Sequence, residues 1–354
     1  KYSKTNIYAE RFRSHDGTQY GFVSENPTLT GNYSISTITI LTAFDKHISG
    51  SKDPNSSVNY QNFTEYRDVI DKRLAGPTDK AYVGNSQSVL LPAFLAAYTG
   101  QDPNKVSLGG TVKIPLPGWQ IDYTGLARIK ILAKKFQSIT LSHKYSSQYL
   151  IGSFASQNIY NANFVMPTSN FYDSGRVPDS INATGQLIPV YIINGVLITE
   201  SFAPFIGFNA RTKNKVSYKL TYSRSRTLNM SVSNAQLTES YNNSWQVGIG
   251  FARSNIAIPK FLTGGNKVNL KNELNIQINF TINDMITYQR KFLENTTVTA
   301  GNTNIQFKPT ISYNISQRVT MMFYFERTIN SPKISSSYRR ATTAVGIQIR
   351  FTLS

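Results

Sequence analysis

In the last segment of the chain, Val345, Ile347, Ile349 and Phe351 alternate strictly with Gly346, Gln348, Arg350 and Thr352. Successive side chains of an extended strand point to opposite faces, so this segment predicts a strand with one greasy and one polar face. The pattern recurs upstream. Leu274, Ile276, Ile278, Phe280 and Ile282 alternate with Asn275, Gln277, Asn279, Thr281 and Asn283. Val216, Tyr218, Leu220 and Tyr222 do the same, as do Trp245, Val247, Ile249 and Phe251. So do Ile305, Phe307, Ile311, Tyr313 and Ile315, followed by Val319, Met321, Phe323 and Phe325. One such segment fits a soluble sandwich equally well. Segments of roughly ten residues in series, apolar outward and polar inward, are the signature of a transmembrane β-barrel.

Turn signals punctuate the pattern. Asn194-Gly195, between Tyr191-Ile192-Ile193 and Val196-Leu197-Ile198, predicts a two-residue hairpin. Asn283-Asp284, Ala300-Gly301-Asn302 and Ile315-Ser316-Gln317 read as further tight turns, and residues 255–267 and 328–340 as longer loops. Short turns alternating with longer loops fit a barrel with two different rims.

The first third of the chain reads differently. Ser56 can cap a helix in which Phe63, Tyr66, Ile70 and Leu74 recur at helical spacing, with Gly76-Pro77 as its stop. Residues 89–98 predict a second short helix interrupted by Pro92, and Leu126, Ile129, Leu132, Ala133 and Phe136 a third. The chain therefore divides into 1–137, with strands, loops and a helical insertion or cap, and 138–354, with hairpin-connected transmembrane strands. A rim insertion, a loop folded into the lumen, a plug or a cap over the open end would each accommodate the helices.

Composition agrees with strands: aromatics reach 12%, with 21 Tyr and 20 Phe. No run approaches the roughly 18 consecutive apolar residues a membrane-spanning helix needs, so spanning requires a closed barrel. With no cysteine there are no disulfides and no thiolate metal sites. The chain begins at Lys1 without an initiator Met or a secretion leader, and reads as mature, cleaved or a fragment. The formal charge is +18, but the basic residues are scattered singly along strands and turns instead of clustering on one helix. That argues against nucleic acid as a partner and for a charged lumen or rim, or attraction to anionic lipid head groups.

Signs of catalysis are few. His15, His47 and His143 are too dispersed for a metal cluster. Ser142 and His143 are adjacent on a strand, so they face opposite ways and make no nucleophile–base pair. Gly109-Gly110 and Gly264-Gly265 lack the Lys-Ser or helix start of a phosphate loop and read as turns. Sequons such as Asn182-Ala183-Thr184 and Asn279-Phe280-Thr281 follow from an Asn-, Ser- and Thr-rich composition. The expectation is a non-enzyme with no cofactor and no metal. On the polar parity, Lys219, Gln277, Asn279, Gln348 and Arg350 are the candidates to face a lumen.

Several ordered strings resemble the C-terminal region of SprA, also called Sov, the outer-membrane translocon family of the type IX secretion system in Bacteroidetes. They are Pro115-Leu116-Pro117-Gly118-Trp119 through Asp122-Tyr123-Thr124-Gly125-Leu126, and Ser138-Ile139-Thr140-Leu141-Ser142-His143-Lys144-Tyr145. Phe202-Ala203-Pro204-Phe205-Ile206-Gly207, Tyr222-Ser223-Arg224-Ser225-Arg226-Thr227-Leu228, Gln236-Leu237-Thr238-Glu239 and Gly346-Ile347-Gln348-Ile349-Arg350-Phe351-Thr352-Leu353 continue it. The likeness runs from Phe63 to the C-terminus. It implies a very wide single-chain barrel in the outer membrane that passively conducts folded cargo proteins with C-terminal signals. It also implies partners: the remaining N-terminal part of the same barrel, a PorV-like shuttle protein, a plug protein and, where present, the gliding-motility machinery. Three other readings compete: a self-contained porin or transporter barrel, a secreted all-β adhesin and, third, an outer-membrane lipase, which needs a Ser and a His on one face.

Overall fold

The computed structural model describes residues 2–7, 10–14, 20–24, 28–46, 48–49, 51–75, 84–157, 188–257, 264, 269–334 and 336–352. Four strands come first: β1 (Tyr2–Ile7), β2 (Glu10–Ser14), β3 (Tyr20–Ser24) and β4 (Thr28–Ser36). Helices α1 (Val58–Ala75) and α2 (Gln87–Thr99) precede β5 (Trp119–Tyr123), the one-turn α3 (Lys130–Ala133) and the long β6 (Phe136–Ser156). Then come β7 (Tyr191–Ile193), β8 (Gly195–Thr212), β9 (Val216–Ser231), β10 (Gln236–Arg253), β11 (Ile256–Ala257) and β12 (Asn269–Leu270). The last four are β13 (Leu274–Lys291), β14 (Thr297–Asn314), β15 (Val319–Pro332) and β16 (Arg340–Phe351).

All strand pairs are antiparallel, and one sheet takes the order β1-β4-β6-β8-β9-β10-β13-β14-β15-β16, with β5 and β7 attached to β6. The fold is thus all-β with helical insertions in its first third. The sheet does not close on itself, leaving β1 and β16 as its edges. The boundary expected at 137/138 falls just inside β6, and β1 and β4, upstream of it, belong to the same sheet.

Every alternating segment read from the sequence lies in a strand, apart from Ile315 and Thr352, which fall just past the ends of β14 and β16. Several turn signals do not lie in turns. Asn194-Gly195 interrupts one strand direction: β7 and β8 both run antiparallel to β6, Ile193 opposite Phe154 and Val196 opposite Ile151. Neither residue takes the positive φ that a type I′ turn demands. The Asn194 carbonyl instead accepts from the Val232 N–H at 2.9 Å, so pairing with long neighbours overrides the local turn preference. Asn283-Asp284 and Ala300-Gly301-Asn302 sit in the interiors of β13 and β14, the first opposite Asn304 and Thr303, the second opposite Thr287, Ile286 and Met285. The actual turn between them spans residues 292–296, where Leu293 adopts φ 63°.

Residues 315–317 do lie in the β14–β15 connection. Residues 328–332, expected in a loop, extend β15, and the connection begins at Lys333. The expected loop at 255–267 lies within the β10–β13 connection, partly outside the described residues. Connections at one end of the strands span 213–215, 254–273 and 315–318, and at the other 232–235, 292–296 and 333–339. Long and short connections therefore do not segregate by rim.

Helix α1 is capped by Ser57, not Ser56: the Ser57 hydroxyl accepts from the Tyr60 N–H at 2.9 Å and donates to Asp45 at 2.5 Å. Phe63, Ile70 and Leu74 are buried at helical spacing. Gly76-Pro77, the expected stop, lies outside the described residues. Helix α2 is continuous through Pro92, which forfeits one backbone donor but not the helix. Every residue from Val89 to Thr99 is buried, as an all-apolar helix requires. Gly100, in the left-handed region at φ 73°, closes it with an N–H to the Ala96 carbonyl. The third helix is shorter than expected, because Phe136 already belongs to β6 and pairs with Thr212.

The two helices form a cap packed on the sheet. Its core joins Phe63, Leu90, Phe94 and Tyr98 to Tyr33, Tyr149, Ile151, Val196, Ile198, Leu228, Met230 and Leu237. At roughly 1.5–3 kcal/mol per fully buried large apolar side chain, this core dominates the cohesion of the first half.

Candidate functional site

Because register is continuous from β9 to β10 and on to β13, cross-strand partners fix which residues share a face. One face is apolar. It carries Leu228 and Met230 under the cap and, further along the same strand, Tyr222, Leu220, Tyr218 and Val216. The row continues through Trp245, Val247 and Ile249 of β10, Ile278 and Phe280 of β13, Phe307 and Ile311 of β14, Phe323 of β15 and Ile347 of β16. Beyond the cap this belt is open: Trp245 is 43% exposed, Phe323 40% and Ile347 69%. An uncovered apolar surface this wide is unlike that of a soluble monomer.

The opposite face is polar. Lys219 and Asn279 flank Gly248 from either side, and Gln277 lies opposite Gly250. With Ser138, Thr140, Asn209, Arg211 and Ser217 they line a shallow groove of about 340 Å³. The two glycines make the dent, since a side chain at Gly250 would meet Ser217 Oγ at 2.4 Å. Gln348 and Arg350 line a second groove of about 170 Å³ with Ser312, Thr320 and Met322. The five residues singled out from the sequence thus share one face but fall into two separate groups. Between the grooves the face is knitted by Gln306 to Glu326 at 2.6 Å and Lys308 to Glu326 at 3.1 Å.

Two buried ion pairs, not anticipated from the sequence, lie on the apolar face where the cap ends and the belt begins. Arg226 Nε stands 2.6 Å from Glu200 Oε2, and both side chains are 1% exposed. Glu200 Oε1 also accepts from Thr39 at 2.6 Å and Tyr145 at 2.8 Å, and the Arg226 guanidinium donates to the Thr42 and Thr39 carbonyls. In the second pair Arg290 Nε lies 2.9 Å from Glu239, which also accepts from Tyr98 of α2 at 2.5 Å. Burial, chiefly, pushes the Tyr98 hydroxyl well above its ordinary pKa, and the Glu239 carboxylate adds to it. The sequence did hold a signal: Arg224 and Arg226 interrupt an apolar parity that runs from Val216 to Met230.

His143 sits on the apolar face, its Nδ1 donating to the Phe205 carbonyl at 2.7 Å. Ser142 pairs with Gly207 in the ladder. His15 and His47 lie outside the described residues, as does the sequon at Asn182. Among the described residues no three His, Cys, Asp or Glu side chains gather to hold a metal ion, and no helix is long and apolar enough to cross a membrane. No protein-family model matches the chain, and no curated protein matches it.

Proposed function

We propose that this chain is a section of the wall of an outer-membrane β-barrel. The observation that carries the reading is the belt, apolar side chains left open on one face while the other face is hydroxyl- and amide-rich. Lipid on the apolar side satisfies the exposed Val, Ile, Phe and Trp of the belt, and the strands between the two edges are already paired within the sheet. On β13 the stretch 274–282 is about 27 Å long at roughly 3.4 Å per residue. Inclined by about 40°, it covers about 21 Å of the bilayer normal, close to the roughly 25 Å apolar band of such barrels.

In this reading the polar face, with Lys219, Gln277, Asn279, Gln348 and Arg350, borders water in the lumen. The two free sheet edges call for further strands from another part of the same protein. That requirement, with the ordered strings resembling the SprA/Sov translocon, favours a protein-conducting pore of the type IX system over a self-contained porin. A secreted adhesin would leave the belt in water, at a large cost in hydration free energy. The role is passive conduction of folded cargo, without catalysis or a cofactor. Because α1 and α2 rest on the apolar face, they are an external buttress; gating then belongs to a plug protein, a PorV-like shuttle protein or other lumenal segments.

The test is the mass and chain content of the complex extracted from outer membranes in mild detergent. Recovery with further segments of a very large polypeptide and with a lipoprotein or plug subunit is the expected result. A lone 39.6 kDa species forming small ion channels would overturn it.

A further inference from the structure

We propose that the turns at the belt end of β6, β8 and β9 form a binding site for anionic phospholipid head groups. The inference rests on the membrane-wall reading and gives it a lipid preference and a location. Arg128, Lys130, Lys134 and Lys135 occupy the turn from β5 into β6, and Lys213 and Lys215 the turn from β8 to β9. The two turns abut, the Lys213 N–H donating to the Lys135 carbonyl at 3.1 Å. All six side chains are exposed, and none has a carboxylate within ion-pair distance among the described residues.

Carboxylates are scarce around them. Between Lys113 and Ser156 the sequence has only Asp122, which accepts from the Gln120 amide at 2.7 Å, and between Glu200 and Glu239 it has none. The opposite end of the strands contrasts with this. There the 232–235 turn carries no charge, Lys291 faces Glu294 at 3.7 Å, and Lys333 is held by Asp284 at 2.6 Å. Arg339 and Arg340 also lack a carboxylate partner at that end among the described residues, but the two abutting turns hold six such cations, so unneutralised charge is densest where the apolar belt runs out.

Apolar groups complete the site. Ile129 and Ile131 alternate with Arg128 and Lys130 and are 48% and 77% exposed, and Ile121 and Tyr123 of β5 extend the belt up to them. Isoleucines open to the acyl layer beside cations at phosphate depth are the arrangement of an interfacial anchor. The same chemistry disfavours a purely soluble anion, which would leave both isoleucines in water.

The experiment uses the full chain in neutral detergent, with retention of dioleoylphosphatidylglycerol and dioleoylphosphatidylcholine read by native mass spectrometry. The native chain is expected to prefer the anionic lipid. The variant K130Q/K134Q/K213Q/K215Q should lose affinity for it by about 600-fold, at about fivefold for each of the four lysines, with choline-lipid retention and circular dichroism unchanged. Gln at Lys291, Arg339 and Arg340, at the other end, should change neither lipid. No preference in the native chain, equal preference in the lysine variant, or displacement by inorganic phosphate at matched concentration would each overturn the proposal. Failure to retain either lipid would instead sink the membrane-wall reading itself.

Discussion

Removing the Arg226 guanidinium should loosen the cap by about 3 kcal/mol, the low end of the 3–5 kcal/mol that follows from stripping one partner of a buried pair. The low end applies because the neighbours are redundantly bonded. The Thr42 carbonyl keeps the Asn59 amide at 2.9 Å, and the Thr39 carbonyl keeps the Thr42 N–H at 3.1 Å. Glu200 keeps two hydroxyl donors, Thr39 and Tyr145, but loses the one cation paired with it among the described residues. The cost is therefore concentrated in one buried carboxylate. Arg226→Met, which preserves most of the volume, raises the open population of the cap about 150-fold at 3 kcal/mol. Limited proteolysis of α1 and α2 in detergent reads that population directly when reclosing outpaces cleavage. Adding Glu200→Gln removes the stranded charge, so the double variant should sit within about 1 kcal/mol of the native protein. If Arg226→Met costs under 1 kcal/mol, or if the two substitutions simply add, the pair does not hold cap to sheet and the argument fails.

Ile278→Arg, at the middle of the belt on β13, should cost about 2–4 kcal/mol and reduce the amount assembled in membranes; Asn279→Arg, one residue on and facing the other way, should be nearly silent. Equal losses in a quantitative blot of membrane fractions would refute the face assignment. Burial pushes the Tyr60 hydroxyl of α1 up to about 12. The folded chain thus keeps a proton that the unfolded chain gives up near 10, so cap stability is full below pH 10 and falls as pH rises toward 12. Tyrosinate absorbance at 295 nm, followed with cap proteolysis, should show the two changes together. Gly110, at φ 66° with Leu91 Cβ 2.7 Å from where its own Cβ would stand, should not accept Ala without losing about 1–3 kcal/mol, seen as a lower Tm.

The strands and their two faces were legible because alternation at period two needs no tertiary information: residues 216–222, 245–251, 274–282 and 345–351 could form nothing else stable. Helix α1 was legible for the same reason, at period 3.6, whereas α2 is apolar all round and shows no such period. Turn positions were not. Asn283-Asp284 and Ala300-Gly301-Asn302 carry local turn chemistry, yet both lie within one ladder, in neighbouring register positions, where Thr303 bonds to Asp284 at 2.6 Å. Side-chain partners contributed by the adjacent strand neutralise the preference. The grooves were half legible, since parity puts Lys219 and Gln277 on one face but only register sets them beside Gly248 and Gly250. The ion pairs escaped because Glu200, Arg226, Glu239 and Arg290 lie on four strands and meet Thr39 and Thr42 of the β4–α1 connection and Tyr98 of the cap.

From β8 onward each long strand pairs with the next long strand in the chain, whereas joining β4 to β6 encloses residues 37–135. Closing so long an excursion costs about 3 kcal/mol more than closing a four-residue turn. Nothing recovers that until α2 lands on Tyr149, Ile198 and Leu228. The order of assembly follows: the C-terminal meander zips from local hairpins, and the cap fastens β4 last. Pulsed hydrogen exchange should find β13 to β16 protected before α1 and α2, and simultaneous protection would contradict that order.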